Sequence, residues 1–264
     1  MTGCGGYLVD VEGTLVSCAA RTEQLIPYAR AHFEGFLRNG IAGLERKGGD
    51  LDADDLDADS LFHDLALLQA ENHAESDPTA PRIRPHRAVT SQRTGTDPSE
   101  AIPEILSYIE WLTGRDKNSV ALKSLQGKIW KSGFESGELK LELFGDVPRA
   151  FARWSSHARI AIYSSGSVSA QRALFSRSSY GDLSRFVTAY FDTRTGSKTD
   201  GRSYVAIAKE MQLAPQELCF FSDSPCELDA ARGAGMGTRL VCRPGNAPIA
   251  VKDHMAIQSL DEAP

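Results

Sequence analysis

Tyr7-Leu8-Val9-Asp10-Val11-Glu12-Gly13-Thr14 decides the fold class, because a short apolar run ends on an acid and meets Gly-Thr at once. An apolar run without polar alternation reads as a strand covered on both faces, as in a parallel sheet. The strand, Gly6 to Asp10, then delivers a carboxylate at its carboxyl end, the edge at which open α/β sheets bind ligands.

Beyond this strand, from about Thr22 to Leu143, the sequence takes on helical periodicity. Leu25, Tyr28, Ala29 and Phe33 fall on one face, as do Leu61, Leu65, Leu68 and Asn72. A third helix follows Asp97-Pro98-Ser99-Glu100 with Ile105, Ile109 and Leu112 inward, and a fourth runs through Val120, Leu125, Ile129 and Trp130. Residues 74–97 are polar and rich in Pro, Ser and Thr, which predicts a long loop.

After Asp146-Val147-Pro148 the texture alternates between helix and strand. Strands are expected at Arg159 to Tyr163, near Tyr190-Phe191, at Leu218 to Ser222 and, as the last, at Thr238 to Val241. Helices are expected through Phe151 and Trp154, through Ala170 and Leu174, over Gly201 to Met211, and over about Glu227 to Ala234. This alternation predicts an α/β fold, a doubly wound parallel sheet with a Rossmann-like core and an inserted helical cap. The expected division is a core of residues 1–20 plus 145–264 and a cap lobe of residues 21–144.

Composition narrows the function classes. A net charge of −6 and a pI near 5.6 exclude a general nucleic-acid binder, which needs a basic face. The acidic stretch Asp50 to Asp59 and the basic stretch Arg82 to Arg93 read as solvated segments. The five cysteines form no CxxC pair and are expected as reduced thiols of a cytoplasmic protein. No basic-then-apolar leader opens the sequence, Thr2 excludes an N-myristoylation signal, and no apolar run reaches the roughly 20 residues a membrane span needs. No coiled-coil pattern or repeat asks for an oligomer, so a monomer is expected.

Three expected strands end in polar groups: Asp10 with Glu12, Ser164 with Ser165, and Asp223. Lys198 lies in the loop Thr195-Gly196-Ser197-Lys198-Thr199 ahead of a helix. Singly, each has an ordinary reading: a solvated turn, a strand-to-helix turn with its N-cap, a surface lysine, a helix cap. Together, carboxylates, hydroxyls and one ammonium along a sheet edge suit phosphoryl transfer through a covalent intermediate. A carboxylate can attack phosphorus, Mg2+ takes oxygen ligands and shields charge, and hydroxyls with an ammonium hold phosphate oxygens.

The ordered set resembles the haloacid dehalogenase superfamily of phosphatases. The glutamate in Asp10-Val11-Glu12-Gly13-Thr14, with Ile162-Tyr163-Ser164-Ser165-Gly166-Ser167-Val168-Ser169-Ala170-Gln171, is similar to the enolase-phosphatase (acireductone synthase) family within it. Further agreement lies in Ala121 to Trp130, Phe191-Asp192-Thr193, Ser197-Lys198, Glu227 to Ala231, and Val241-Cys242-Arg243-Pro244-Gly245-Asn246. Leu15, where the family usually has a second threonine, and Ser224-Pro225-Cys226 depart from the pattern.

The resemblance implies Asp10 as nucleophile and metal ligand, and Glu12 as general acid/base that also lends a carbonyl to the metal. It implies Ser164, Ser165 and Lys198 on the substrate phosphate, and Asp223 completing a Mg2+ site. Glu227 would orient metal-bound water, and Lys123 and Gln126 would either face substrate or lie on the helix surface. The implied reaction converts 5-methylthio-2,3-dioxopentyl phosphate to an acireductone and phosphate in methionine salvage. A generic phosphomonoesterase, a metal-free dehalogenase and a non-catalytic binding module are the alternatives on the same fold.

Overall fold

The computed structural model describes residues 4–46, 56–84, 98–246 and 254–263. Most of the acidic stretch and most of the basic stretch singled out above lie outside the described residues, as do residues 85–97 of the polar loop. The chain divides into two compact units, Met1–Leu25 with Trp130–Pro264, and Ile26–Ile129.

The first unit holds one parallel sheet of six strands in the order β3-β2-β1-β4-β5-β6. These are β1 (Gly6–Val9), β2 (Arg159–Tyr163), β3 (Ala189–Phe191), β4 (Leu218–Ser222), β5 (Gly237–Val241) and β6 (Met255–Ile257). The sequence reading ended at β5. The sixth strand is the three-residue run Met255-Ala256-Ile257, two of them exposed and too short to read as a strand by itself; its pairing with β5, Arg239 opposite Met255, defines it.

Four helices pack on this sheet: α5 (Val147–Trp154), α6 (Val168–Ser176), α7 (Gly201–Glu210) and α8 (Pro225–Gly233). Side-chain alternation along the strands sorts the two faces. Leu8, Ala161, Tyr163, Phe220 and Leu240 join Tyr204, Ile207, Leu228 and Ala231 in one buried cluster with α7 and α8. On the other face Tyr7 and Phe221 meet Trp154 of α5, with ring centroids 4.5 and 5.1 Å away. Burial on both faces explains why β1, and β4 up to its closing Ser222, are apolar, with every residue buried. Helix α8 begins at Pro225, ahead of the expected Glu227, because proline's fixed φ and missing N–H suit a first helical turn.

The second unit is helical among its described residues: α1 (Ile26–Arg46), α2 (Leu56–Ala74), α3 (Ile102–Gly114) and the start of α4 (Val120–Ser136). Leu61, Leu65, Leu68 and Asn72 line the buried face of α2, and Ile105, Ile109 and Leu112 that of α3. Val120, at the first turn of α4, is instead exposed. Ser119 caps that helix through Leu122 N, and the Glu71 carboxylate accepts from Val120 N, where the helix dipole favours negative charge. Residues 75–84 are tied back to α2: Asn72 donates to Pro81 O and accepts from Ile83 N.

Candidate active site

Strands β1, β2 and β3 are laid down outward in one direction, and the chain then returns to place β4 on the other side of β1. The reversal makes the carboxyl ends of β1 and β4 a topological switch point, where a crevice opens. Val9 is in register with both Ile162 and Phe221, so Asp10 and Ser222 follow at the same level of the sheet. Asp10 N donates to Phe221 O at 2.9 Å, which extends the ladder by one residue and fixes the buried carboxylate above it.

Asp10 Oδ1 accepts from Val11 N at 2.8 Å and from Lys198 Nζ at 2.6 Å, and Oδ2 lies 3.4 Å from Ser222 Oγ. Lys198 Nζ also reaches Glu227 Oε2 at 2.8 Å, and Ser222 Oγ donates to the same oxygen at 2.9 Å. Burial alone would push the Lys198 ammonium down, but the charges of Asp10 and Glu227 and their hydrogen bonds outweigh it and hold the group above its ordinary value. Lys198 is therefore a fixed positive charge. Burial and then the charge of Asp10 raise the Glu227 carboxyl, against the opposing pull of Lys198.

The turn after Asp10 is compact. Gly13 N donates to Val16 O, and Leu15 N and Val16 N both donate to Val11 O. Gly13 adopts φ +71°, and a Cβ there would fall 2.1 Å from Asp223 Oδ2, so only glycine lets the two segments approach. From the far side, Asn246 Nδ2 donates to Gly13 O and Arg243 Nε donates to Thr14 O, each at 2.9 Å. Arg243 is held by a bidentate pair with Asp146 at 2.7 and 3.0 Å. The half-buried Glu12 sits within this turn. Burial lifts its carboxyl above the ordinary carboxylate range, the charge of Asp10 adds to the rise, and Arg21 and Lys198 oppose it.

The structure thus brings Asp10, Lys198, Ser222 and Glu227 into direct contact, with Asp223 against the Gly13 turn. Ser164 and Ser165 stand at the end of the adjacent strand β2. Among the described residues no hydrogen bond joins them to Asp10. Ser164 N donates to Phe191 O, its Oγ accepts from Gly166 N, and Ser165 is exposed. Ser167 caps α6 through Ala170 N, and Asp192 Oδ2 accepts from Val168 N at the same helix start. Gln126 of the second unit is buried, whereas Lys123 is exposed and bonded to Asn118.

Sequence reading gave Glu227 only a secondary part and missed Ser222, Arg243 and Asn246 as site residues. Ser222 left one signal, a hydroxyl closing an otherwise apolar strand. Arg243 and Asn246 left none beyond their place in the Val241-to-Asn246 stretch, because their contacts cross the sheet.

The donor set can accept a divalent cation. Asp10 and Glu227 contact the Lys198 ammonium, Glu12 and Asp223 also feel its charge, and burial with the charge of Asp10 pushes Asp223 up to about 6. Such an excess of negative charge is relieved by a bound cation. Among the described residues no three His, Cys, Asp or Glu side chains converge as a metal cage. Mg2+ does not require one, since it is held by one or two carboxylates with carbonyl, water and phosphate oxygens.

A parallel sheet with a carboxylate at its switch point and a lysine clasping it defines a class of hydrolase. The family model described as haloacid dehalogenase-like hydrolase matches residues 5–235, and the chain belongs to that family. It is similar to enolase-phosphatase E1 of Synechococcus elongatus, 42% identical across 97% of this chain and 95% of that one. The same-named protein of Leptospira borgpetersenii serovar Hardjo-bovis is 37% identical across 97% and 96%. Among solved structures, the UTR4 protein of Saccharomyces cerevisiae superposes with a TM-score of 0.67 at 27% identity, covering 97% and 98% of the two chains. An L-2-haloacid dehalogenase, 17% identical with a TM-score of 0.51, shares the fold. The protein is accordingly an enzyme of the phosphatase type. Among the described residues no helix is long and apolar enough to cross a membrane.

Proposed function

We propose that the protein is a magnesium-dependent enolase-phosphatase that converts 5-methylthio-2,3-dioxopentyl phosphate to 1,2-dihydroxy-5-methylthiopent-1-en-3-one and phosphate, a step of methionine salvage. The observation that carries this reading is the pairing of Asp10, clasped by Lys198 at 2.6 Å, with a glutamate two residues on whose carboxyl is raised by burial. The likeness to enolase-phosphatases along nearly the whole chain supports it.

In this reading the Asp10 carboxylate attacks phosphorus while the bond from phosphorus to the enol oxygen breaks. Glu12, whose carboxyl is raised by burial, delivers a proton to that leaving oxygen. The Glu12 carboxylate then takes a proton from water, whose oxygen attacks the aspartyl phosphate and returns Asp10. Lys198 neutralises phosphate oxygens, and Ser164 and Ser165 hold the rest. Asp10, Asp223 and the carbonyl of Glu12 would hold Mg2+, which supplies charge shielding and polarises substrate oxygens. The enzyme is proposed to work as a cytoplasmic monomer.

A product assay on the diketone phosphate tests the reading, following enol absorbance and free phosphate together, with and without Mg2+. Release of phosphate from simple sugar phosphates at equal efficiency, with no enol signal from the diketone, would show a generic phosphomonoesterase instead.

A further inference from the structure

Three successive carbonyls of the lysine loop each accept a hydrogen bond from a different buried hydroxyl. Tyr163 Oη donates to Gly196 O at 3.0 Å, Ser203 Oγ to Ser197 O at 2.8 Å, and Tyr204 Oη to Lys198 O at 2.6 Å. Tyr163 ends β2, whereas Ser203 and Tyr204 lie in the first turn of α7, so the loop is tied both to the sheet and to the helix it enters.

Surface loops ordinarily leave such carbonyls to water. Here Tyr163 and Tyr204 are fully buried, with their rings edge-on at 5.7 Å in the sheet core. A phenylalanine ring would fill the same volume, and what each hydroxyl adds is a tie to the loop. Gly196 has φ +145°, and a Cβ there would meet Ser203 Oγ at 2.2 Å. The glycine therefore lets the loop close down on its donor. Lys198 Nζ then lies 5.9 Å from the centre of the Tyr163 ring, on its way to Asp10 and Glu227.

A lysine has a long flexible stem, and holding its ammonium between two carboxylates costs rotamer freedom. Fixing the backbone at its root lowers that cost. We propose that Tyr204, seconded by Tyr163 and Ser203, is a positioning residue that anchors the Lys198 backbone and so sets where the ammonium meets the transferred phosphoryl group. None of the three touches the reacting atoms. The inference rests on the reading of Lys198 as the phosphate-neutralising partner of Asp10.

The test uses the full chain with Tyr204→Phe, Lys198→Ala and the double variant, assayed for diketone phosphate turnover and for competitive inhibition by inorganic phosphate. Tyr204→Phe is expected to lower kcat/KM roughly tenfold and to raise the phosphate inhibition constant by a similar factor. Added to Lys198→Ala, it is expected to cost less than about twofold more, since the group it positions is gone. The inhibition constant does not depend on how much of a sample is folded, so a purely structural role would leave it unmoved.

Equal losses in both backgrounds, or an unchanged inhibition constant in Tyr204→Phe, would overturn the positioning role while Lys198→Ala remained crippled. Full turnover and inhibition in Lys198→Ala would instead overturn the Lys198 reading itself. Where Tyr204→Phe fails to fold, Ser203→Ala and Tyr163→Phe carry the same comparison.

Discussion

Lys198 Nζ lies 2.6 Å from Asp10 Oδ1, joining the loop ahead of α7 to the end of β1 through two largely buried side chains. The ammonium engages one oxygen of Asp10 and leaves the other 3.4 Å from Ser222 Oγ, whose proton points to Glu227. An acid held this way keeps a lone pair for attack while its charge is partly offset. Asp10→Asn is expected to reduce phosphate release by at least about a thousandfold, because an amide cannot form the covalent intermediate. Rapid-quench measurement of free and protein-bound phosphate checks this; turnover surviving in Asp10→Asn would remove the nucleophile from the mechanism.

Glu12 is raised by burial and by the charge of Asp10, which suits a group that must give and then take a proton. Glu12→Gln keeps the size and hydrogen bonding of the side chain but cannot exchange a proton. Its kcat is expected to fall by about 10² to 10⁴-fold, with substrate affinity changed far less. Steady-state kinetics on the purified variant provide the comparison, and a loss confined to KM would count against the acid/base role.

Gly13 and Asp223 approach closely enough that a single methyl group would collide with the carboxylate. Gly13→Ala is expected to lower stability by about 1–3 kcal/mol, since alanine adds both the clash and the positive-φ strain. Asp223→Asn leaves the turn intact and removes one proposed metal ligand. It is expected to raise the Mg2+ concentration needed for half-maximal activity by at least tenfold or so. Denaturant titration reads the first effect and a metal titration with calorimetry the second; an unchanged Mg2+ requirement would exclude Asp223 as a ligand.

The Asp146–Arg243 pair is buried, bidentate and completed by Ser259 Oγ, Leu260 N and the Thr14 carbonyl. Removing one partner leaves a buried charge uncompensated, so Arg243→Met is expected to cost about 3–5 kcal/mol. Burial raises the Asp146 carboxyl, but the Arg243 hydrogen bonds and the donors at Leu260 and Ser259 outweigh that and hold it below its ordinary value. With the folded-state value depressed, the folded chain binds fewer protons than the unfolded one across that interval. The stabilisation is therefore present above the unfolded carboxylate range and lost as pH falls through the lowered folded value. Asp146→Asn should flatten this acid-side loss in a pH series of thermal unfolding, and an acid limb as steep as the parent's would refute the assignment.

The sequence alone carried much of this. The apolar stretches within Gly6–Val9, Arg159–Tyr163 and Leu218–Ser222 mark strands because the doubly covered part of a strand favours apolar side chains, and that constraint is local. Asp10, Ser164 and Asp223 could be placed at strand ends for the same reason. Strand β6 could not, since its order comes from pairing with β5 and its own side chains are mostly exposed.

Tertiary structure alone decided which of these groups meet. Taken singly Lys198 reads as a surface lysine, and only the resemblance assigns it to phosphate; in the fold Asp10 and Glu227 both reach its ammonium. Ser222, Arg243 and Asn246 act through contacts with Asp10, Thr14 and Gly13, segments distant along the chain, and no spacing or periodicity encodes a contact of that kind. Local patterning fixes what each segment is, through burial and backbone preference. The meeting of segments depends on strand order and register, and it is there that Asp10 acquires the lysine that makes it more than an acid at the end of a strand.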